Sequence, residues 1–186
     1  VNKKWFAATT SENILVRIKG AENGKALLLL SHYDSSPHSS LGASDAGSGV
    51  VTILEGVRAF LAKGETPKND IIILISDAEE LGLLGAKAFV EQHAWAKDVG
   101  LVLNFEARGS GGPSYVLVET NGGNRKIMEE FMAAGTDYPV ANSLAYSIYK
   151  MIPNDTDLTI FRQDGDINGL NFAFIGDHYD YHTELD

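Results

Sequence analysis

Four apolar runs, each followed by polar residues, constrain the fold of this chain more than any other feature. They lie within Lys25–Tyr33, Ile71–Ser76, Leu101–Glu106 and Leu170–Ile175, and contain the sequences LLLL, IIILIS, LVLNF and LNFAFI. Continuous apolar runs of this length are typical of strands in a sheet that is covered on both faces. The sequence therefore predicts a central sheet with helices packed against both of its sides.

The intervals between these runs contain further strands and helices. Residue patterns predict strands at Asn13–Lys19 and Ser114–Glu119. Helical spacing predicts helices at Gly49–Lys63, Leu81–His93, Asn124–Gly135 and Asp157–Gln163. The pattern at 143–150 is ambiguous, and we expect a short strand there. Strands that alternate with helices predict an α/β fold, here a three-layer α/β/α sandwich with a mixed, largely parallel sheet.

Length and composition narrow the function classes. The 186 residues suit one domain, and we expect a single catalytic domain, 1–186, excised from a longer chain. The net charge of -10 and the scattered Lys and Arg argue against binding to nucleic acid or to an anionic membrane. No apolar run approaches the roughly 20 residues of a membrane span. Because the chain has no Cys, any metal must bind to His, Asp and Glu.

Polar residues follow the carboxyl ends of all four apolar runs. His32 and Asp34 follow the first run, Asp77–Glu80 the second, Glu106 the third and 178–182 the fourth. In open α/β sheets, ligands bind at the carboxyl ends of the strands. We therefore expect these four strand ends to converge on one site.

The first two motifs each allow a structural and a functional interpretation. A His at a strand end is by itself usually only a polar strand end. Asp34 follows His32 by two residues, so its carboxylate can accept the second imidazole N–H and fix the tautomer that binds metal. Asp45 lies among small residues, where it is either the N-cap of the following helix or a carboxylate able to bridge two metal ions.

The strongest local signal is DAEELGLLG at 77–85. Acidic residues at a helix start are favoured by the helix dipole, which gives a structural explanation. Three carboxylates within four residues after a buried strand are nevertheless costly unless cations are present. One of Glu79 and Glu80 can then bind metal while its neighbour acts as a general base. Glu106, taken alone, is equally explained as an ion-pair partner of Arg108.

The last motif, YHTELD, offers His182 with Asp186 beyond it, and His178 is a competing ligand. For His38 and His93, a structural role is the favoured interpretation. The candidates together suit two metal ions that share a carboxylate and keep open positions for water.

The order of these motifs resembles that of a known enzyme family. Along the chain run HYD at 32–34, SDAGSG at 44–49, DAEELGLLG at 77–85, NFEARGSGG at 104–112 and YHTELD at 181–186. The combination resembles the co-catalytic zinc aminopeptidases and glutamate carboxypeptidases. Within that family it is most similar to the branch that holds endoplasmic reticulum metallopeptidase and vacuolar membrane protease. The resemblance extends from about Asn13 to Asp186.

The resemblance implies a two-zinc exopeptidase and a role for each motif. The implied ligands are His32 and Glu106 for one zinc ion, Glu80 and His182 for the other, and Asp45 for both. Glu79 would be the general base that deprotonates the attacking water, and Asp34 and Asp186 would support the ligands from behind. The wider family usually has Asp at the position of Glu106, whereas the closer branch has Glu. We also expect Tyr146, Asp157 and Arg162 to shape the specificity pocket.

The resemblance further implies a peptide substrate, an aminopeptidase in preference to a carboxypeptidase, and a secreted, periplasmic or lumenal location. Members of the branch are often membrane-anchored, which is compatible with an anchor outside this segment. Two alternatives stay open. One is a single-zinc enzyme similar to glutaminyl-peptide cyclotransferases, and the other is an inactive binding domain that keeps the peptidase fold.

Overall fold

A computed structural model describes residues 8–135, 137, 140, 141, 144, 147, 149, 151 and 155–186. In chain order its strands are β1 (Ile14–Ile18), β2 (Ala26–His32), β3 (Ile71–Ser76), β4 (Val99–Ala107), β5 (Gly111–Glu119) and β6 (Gly169–Gly176). Its helices are α1 (Gly49–Ala62), α2 (Leu84–Gln92), α3 (Arg125–Ala133) and α4 (Asp157–Gln163). A π-helical segment, Ala43–Ser48, leads into α1, and a 3-10 helix, Ala94–Asp98, leads into β4.

The six strands form one sheet in the order β1-β3-β2-β4-β6-β5. The four inner strands are parallel, and both edge strands are antiparallel to their neighbours. The mixed, largely parallel α/β sheet expected from the sequence is thus confirmed. Since β2, β3, β4 and β6 point the same way, their carboxyl ends lie along one edge of the sheet.

Alternating side chains on the buried strands face opposite layers of helices. Leu28, Leu30 and Val102 pack with residues of α2 and α4 in one core. Leu29 and Phe105 face the other side, where they pack against α1. The α3 helix covers β5 and β6 on that same side, since Phe172 stacks on Phe105 and also contacts Phe131 of α3. The apolar runs are continuous because both faces of the sheet are covered.

Two local expectations need correction. The helix predicted from Leu81 begins at Leu84, because the preceding residues form an irregular turn. In that turn Ala78 and Leu83 have left-handed φ values of 57° and 62°. The short strand expected at 143–150 is wrong for its described residues, since Leu144, Ser147 and Tyr149 are helical; the mixed pattern there fits no strand period. Across the described ranges, no helix combines the length and the apolar character needed to cross a bilayer.

Candidate metal centre

Five acidic and imidazole side chains meet in two overlapping groups, four of them from strand ends and one, Asp45, from the segment before α1. The first triad is His32, Asp45 and Glu106, and the second triad is Asp45, Glu80 and His182. Within each triad, one potential ligand atom from every residue lies within 4.8 Å of the others. The structure thus brings together all five residues singled out as ligands in the sequence, and Asp45 belongs to both triads.

Asp45 faces one triad with each of its carboxylate oxygens. Its Oδ1 lies 3.1 Å from His32 Nε2, and its Oδ2 lies 3.2 Å from His182 Nε2. The side chain is nearly inaccessible to solvent, at 4 % exposure. Because the two imidazoles approach different oxygens, this carboxylate is oriented to serve two neighbouring cation positions at once.

The spacing of the remaining atoms suits a small divalent cation. His32 Nε2 lies 3.4 Å from Glu106 Oε2, and His182 Nε2 lies 3.0 Å from Glu80 Oε1. Ligand atoms on a tetrahedron with bonds of 2.0–2.1 Å would be separated by about 3.3 Å. Glu80 Oε1 and His182 Nε2 are buried and have no hydrogen-bond partner among the described residues. Buried polar atoms are normally satisfied, so this pair fits a cation as the missing partner.

Local backbone conformation aims these side chains at the centre. Ala78 and His182 have positive φ values, 57° and 60°, which are uncommon for residues with a side chain. The left-handed turn at Ala78 redirects the chain after β3, so that Glu79 and Glu80 return over the end of the sheet. Asp45 lies just before α1, in a segment whose φ and ψ depart from helical values.

Asp34 supports the centre with both its side chain and its backbone carbonyl. Its two carboxylate oxygens accept the backbone N–H groups of Glu79 and Glu80, at 3.0 and 3.1 Å. The Nδ1 atom of His32 lies 2.9 Å from the backbone carbonyl of Asp34 and 3.5 Å from its Oδ1. Asp34 therefore fixes the imidazole with its carbonyl and the 79–80 turn with its side chain.

Asp186 has a parallel position on the other side of the centre. Its Oδ1 accepts the backbone N–H of Asp45, and its Oδ2 accepts the backbone N–H of His182, each at 3.1 Å. Ser40 Oγ donates to the same Oδ2 at 3.2 Å. The carboxylate therefore joins the segment that carries the shared ligand to the segment that carries the second imidazole.

The carboxylates of the centre lie close together, and both burial and their mutual repulsion raise the pKa values of Glu79 and Glu80. Burial raises the pKa of Glu79 well above its usual range, and the negative charge of Glu106 raises it further. Burial, together with the charge of Asp45, raises the pKa of Glu80 to about 7. Burial alone would lower the pKa of His32, but the charge of Glu106 and hydrogen bonds to carboxylates raise it overall. A divalent cation would offset this repulsion between carboxylates.

Glu79 belongs to neither triad. Of the three residues expected in a specificity pocket, Asp157 is fully buried and accepts a hydrogen bond from Ser76 Oγ. Arg162 donates from Nε to Glu119 Oε2 at 2.9 Å, near the amino end of β6. Tyr146 lies outside the described residues.

The remaining histidines lie outside both triads. His178, the competitor of His182, is exposed and contacts the Tyr179 ring in a tilted arrangement, and His38 is also exposed. His93 packs between Phe89 and Trp95. The structural role expected for His93 thus has a packing explanation.

Sequence reasoning missed two features around the triads. Tyr181 stacks on the His182 ring at 3.7 Å between centroids, and the Arg108 guanidinium lies 4.8 Å from the centroid of Tyr181. The Arg108 guanidinium thus contacts an aromatic ring and does not form the ion pair with Glu106 that the sequence also allowed.

The second feature is a pair of buried amides. Asn104 and Asn171 are completely or almost completely buried within β4 and β6. The one available signal was an Asn inside each of two otherwise apolar runs.

Comparison with known proteins assigns this arrangement to a family. The sequence model of peptidase family M28 matches residues 13–186. The chain belongs to this family. It is 38% identical over 179 residues to a vacuolar membrane protease of Candida dubliniensis, covering 95% of this chain and 18% of that protein. It is 33% identical over 177 residues to endoplasmic reticulum metallopeptidase 1 of Rattus norvegicus, covering 94% of this chain and 19% of that protein. This M28 chain thus spans about a fifth of the length of these relatives.

Solved structures share the fold at lower identity. A zinc aminopeptidase from Bacillus subtilis superposes with a TM-score of 0.68 at 24% identity, over 94% of this chain and 44% of that one. A glutaminyl cyclase from Porphyromonas gingivalis superposes with a TM-score of 0.66 at 20% identity, over 94% of this chain and 68% of that one. At these identities the two superpositions establish the M28 fold and do not distinguish between the two activities.

Proposed function

We propose that this M28 domain is a two-zinc exopeptidase of the aminopeptidase type. The observation that carries the proposal is the position of Asp45, whose two oxygens face an imidazole of each triad at 3.1 and 3.2 Å. A carboxylate shared in this way is the arrangement expected between two metal ions in a hydrolase. Further support comes from Glu80 Oε1 and His182 Nε2, which are buried 3.0 Å apart and make no hydrogen bond with any described residue.

His32, Asp45 and Glu106 would hold one zinc ion, and Asp45, Glu80 and His182 would hold the other. Nitrogen and oxygen ligands of this kind suit zinc, and three protein ligands per ion leave a position open. When bound, the ions supply Lewis acidity at the scissile carbonyl and lower the pKa of a bound water.

Glu79 is proposed as the general base. It lies next to Glu80 in the chain but in neither triad, so its carboxylate is free to face substrate. A carboxylate beside the two triads can accept a proton from the attacking water and pass it to the leaving amine. The Asp34 carboxylate accepts the backbone N–H of Glu79 and thereby fixes the backbone position from which the Glu79 side chain extends.

The central test combines metal analysis with hydrolysis assays. Purified protein should contain about two zinc ions per chain and should hydrolyse aminoacyl-nitroanilides or short peptides from the amino end. Glu79→Gln should keep both ions and lose turnover by about 10²–10⁴-fold, the usual contribution of a positioned general base. Near-normal turnover in that variant would disprove the assignment of Glu79.

The same measurements separate the alternatives. A protein that binds one zinc ion and forms N-terminal pyroglutamate without hydrolysing peptides would be a cyclotransferase. A protein that holds no stoichiometric zinc would be a binding scaffold. The presence of two complete triads favours the two-zinc enzyme. Because the relatives are named for the vacuolar membrane and the endoplasmic reticulum, we propose that the domain acts on peptides at a lumenal or extracytoplasmic site.

A further inference from the structure

A row of buried polar side chains from β4, β5 and β6 lies beneath the first triad. Asn104 of β4 is 0% exposed, Asn171 of β6 is 1% exposed and Glu119 of β5 is 4% exposed. Amides and carboxylates are rarely this deeply buried unless hydrogen bonds satisfy them. We call Asn104, Asn171 and Glu119 the amide relay.

Hydrogen bonds connect the amide relay to Glu106. Asn104 Nδ2 donates to Glu106 Oε1 at 3.0 Å and to Asn171 Oδ1 at 2.9 Å. Asn171 Nδ2 in turn donates to Glu119 Oε1 at 2.8 Å. The relay thus leads without a break from a residue of the first triad to a buried carboxylate.

Glu119 is held by donors on both of its oxygens. Arg162 Nε donates to Oε2 at 2.9 Å, and the Tyr149 hydroxyl donates to Oε1 at 2.6 Å. Glu106 pairs with Ala173 and Glu119 pairs with Gly169, four residues apart on β6. At about 3.3 Å per residue, the Glu119–Arg162 ion pair lies roughly 13 Å along the strand from the triad.

The charge of Glu119 sets the direction of every amide in the relay. A carboxylate paired with Arg accepts hydrogen bonds and donates none, so it requires the Nδ2 group of Asn171. The Oδ1 of Asn171 must then face Asn104, and the Nδ2 group of Asn104 must donate to it. Asn104 can therefore offer only N–H to Glu106 Oε1. This leaves Glu106 Oε2, which lies 3.4 Å from His32 Nε2, directed into the triad.

We propose that Asn104 and Asn171 are positioning residues that fix the Glu106 carboxylate for metal binding, with the Glu119–Arg162 ion pair as their remote anchor. The inference rests on the proposed two-zinc function. It assigns Arg162 a role in ligand geometry at a distance from the substrate. Side chains behind the ligands of metal sites commonly change metal affinity when they are replaced.

The test measures zinc affinity, by competition with a chelator, in folded protein. Glu119→Gln keeps the size of the side chain but can donate as well as accept, so the relay loses its fixed direction. We expect this variant and Asn104→Leu each to weaken one of the two zinc-binding steps by about tenfold or more. Cobalt-substituted protein should show an altered visible spectrum in both variants, which a purely structural role would not produce.

A double variant separates the relay from a general loss of stability. If Glu119 acts through Asn104, then Glu119→Gln should cause no further loss of affinity in the Asn104→Leu background. Glu129→Gln, which breaks the exposed pair with Arg125 on α3, is the matched control and should leave zinc affinity unchanged. If Asn104→Leu does not fold, Asn104→Ala replaces it in the cycle.

The outcomes distinguish this inference from the function on which it rests. Wild-type protein without stoichiometric zinc would overturn the proposed function and the relay together. Two zinc ions in the wild type, with affinity unchanged in Glu119→Gln, would overturn the relay alone. An equal loss from Glu119→Gln with and without Asn104 would also overturn it, since the effect would then not pass through Asn104.

Discussion

Replacing Asp34 with Asn should destabilise the zinc-free fold by about 3 kcal/mol. Asn keeps the shape of the side chain but has one carbonyl oxygen, whereas Asp34 accepts two backbone N–H groups, from Glu79 and Glu80. One N–H would therefore face an NH₂ group. Hydrogen bonds to a charged group contribute about 1.5–3 kcal/mol and neutral ones about 0.5–1.5 kcal/mol. Losing one charged bond and weakening the other gives the predicted total.

The assay is urea denaturation in the presence of a chelator, so that metal binding does not contribute. Burial alone would raise the pKa of Asp34, but the interaction with His32 and the hydrogen bond from the Glu79 N–H outweigh it and lower the pKa below its usual 3.8. The carboxylate therefore stabilises the fold above that pH, and its contribution is lost as the pH falls through the lowered value. The difference between wild type and variant should accordingly shrink below about pH 4.

Asp164→Asn is the control, because this exposed Asp follows α4 and should change stability by no more than about 0.5 kcal/mol. A zinc-free Asp34→Asn protein as stable as wild type would refute the reasoning. The 79–80 turn would then hold its shape without the carboxylate.

Three further predictions follow from single contacts. Asp45→Asn should weaken both zinc-binding steps, whereas Glu106→Gln should weaken one, as measured by chelator competition. His182→Ala should leave one ion bound per chain, seen by metal analysis after dialysis, because this imidazole belongs only to the second triad. The Gly20 N–H and Arg17 lower the pKa of Asp70 to about 2, so Asp70→Asn should be less stable at pH 7. That difference should close between about pH 4 and pH 2 in acid denaturation, since the carboxylate stabilises the fold only while ionised.

The fold was predictable because its sheet is covered on both faces. Each buried strand, such as Ile71–Ser76, is an unbroken apolar run, and the polar residues after it mark its carboxyl end. The ligand candidates could be selected for the same reason, since parallel strands bring those ends to one edge. The start of α2 could not be placed, because a left-handed turn at Leu83 leaves no distinct pattern in the sequence.

The supporting contacts of the site were less predictable than its triads. Sequence spacing suggested that the Asp34 carboxylate accepts an imidazole N–H, yet it accepts two backbone N–H groups, and the Asp186 carboxylate also accepts backbone N–H groups. Such contacts depend on the path of the loops and not on the spacing of residues. Asn104 and Asn171 come together because β4 and β6 pair in a register that places them side by side. That register could not be predicted from the sequence of either apolar run alone.

If Glu106 is the metal ligand proposed above, the amide relay also gives a physical reason why Glu can serve at this position, where the wider resemblance would favour Asp. Glu has one more rotatable bond than Asp, and fixing it costs conformational entropy on metal binding. In this chain the hydrogen bond from Asn104 to Oε1 already restricts that rotation before any ion arrives. The longer side chain is therefore held at one oxygen, while the other faces His32 in the first triad. We therefore expect a Glu ligand at this position to depend on a donor in the same strand, two residues earlier, and on the ion pair that fixes the direction of that donor.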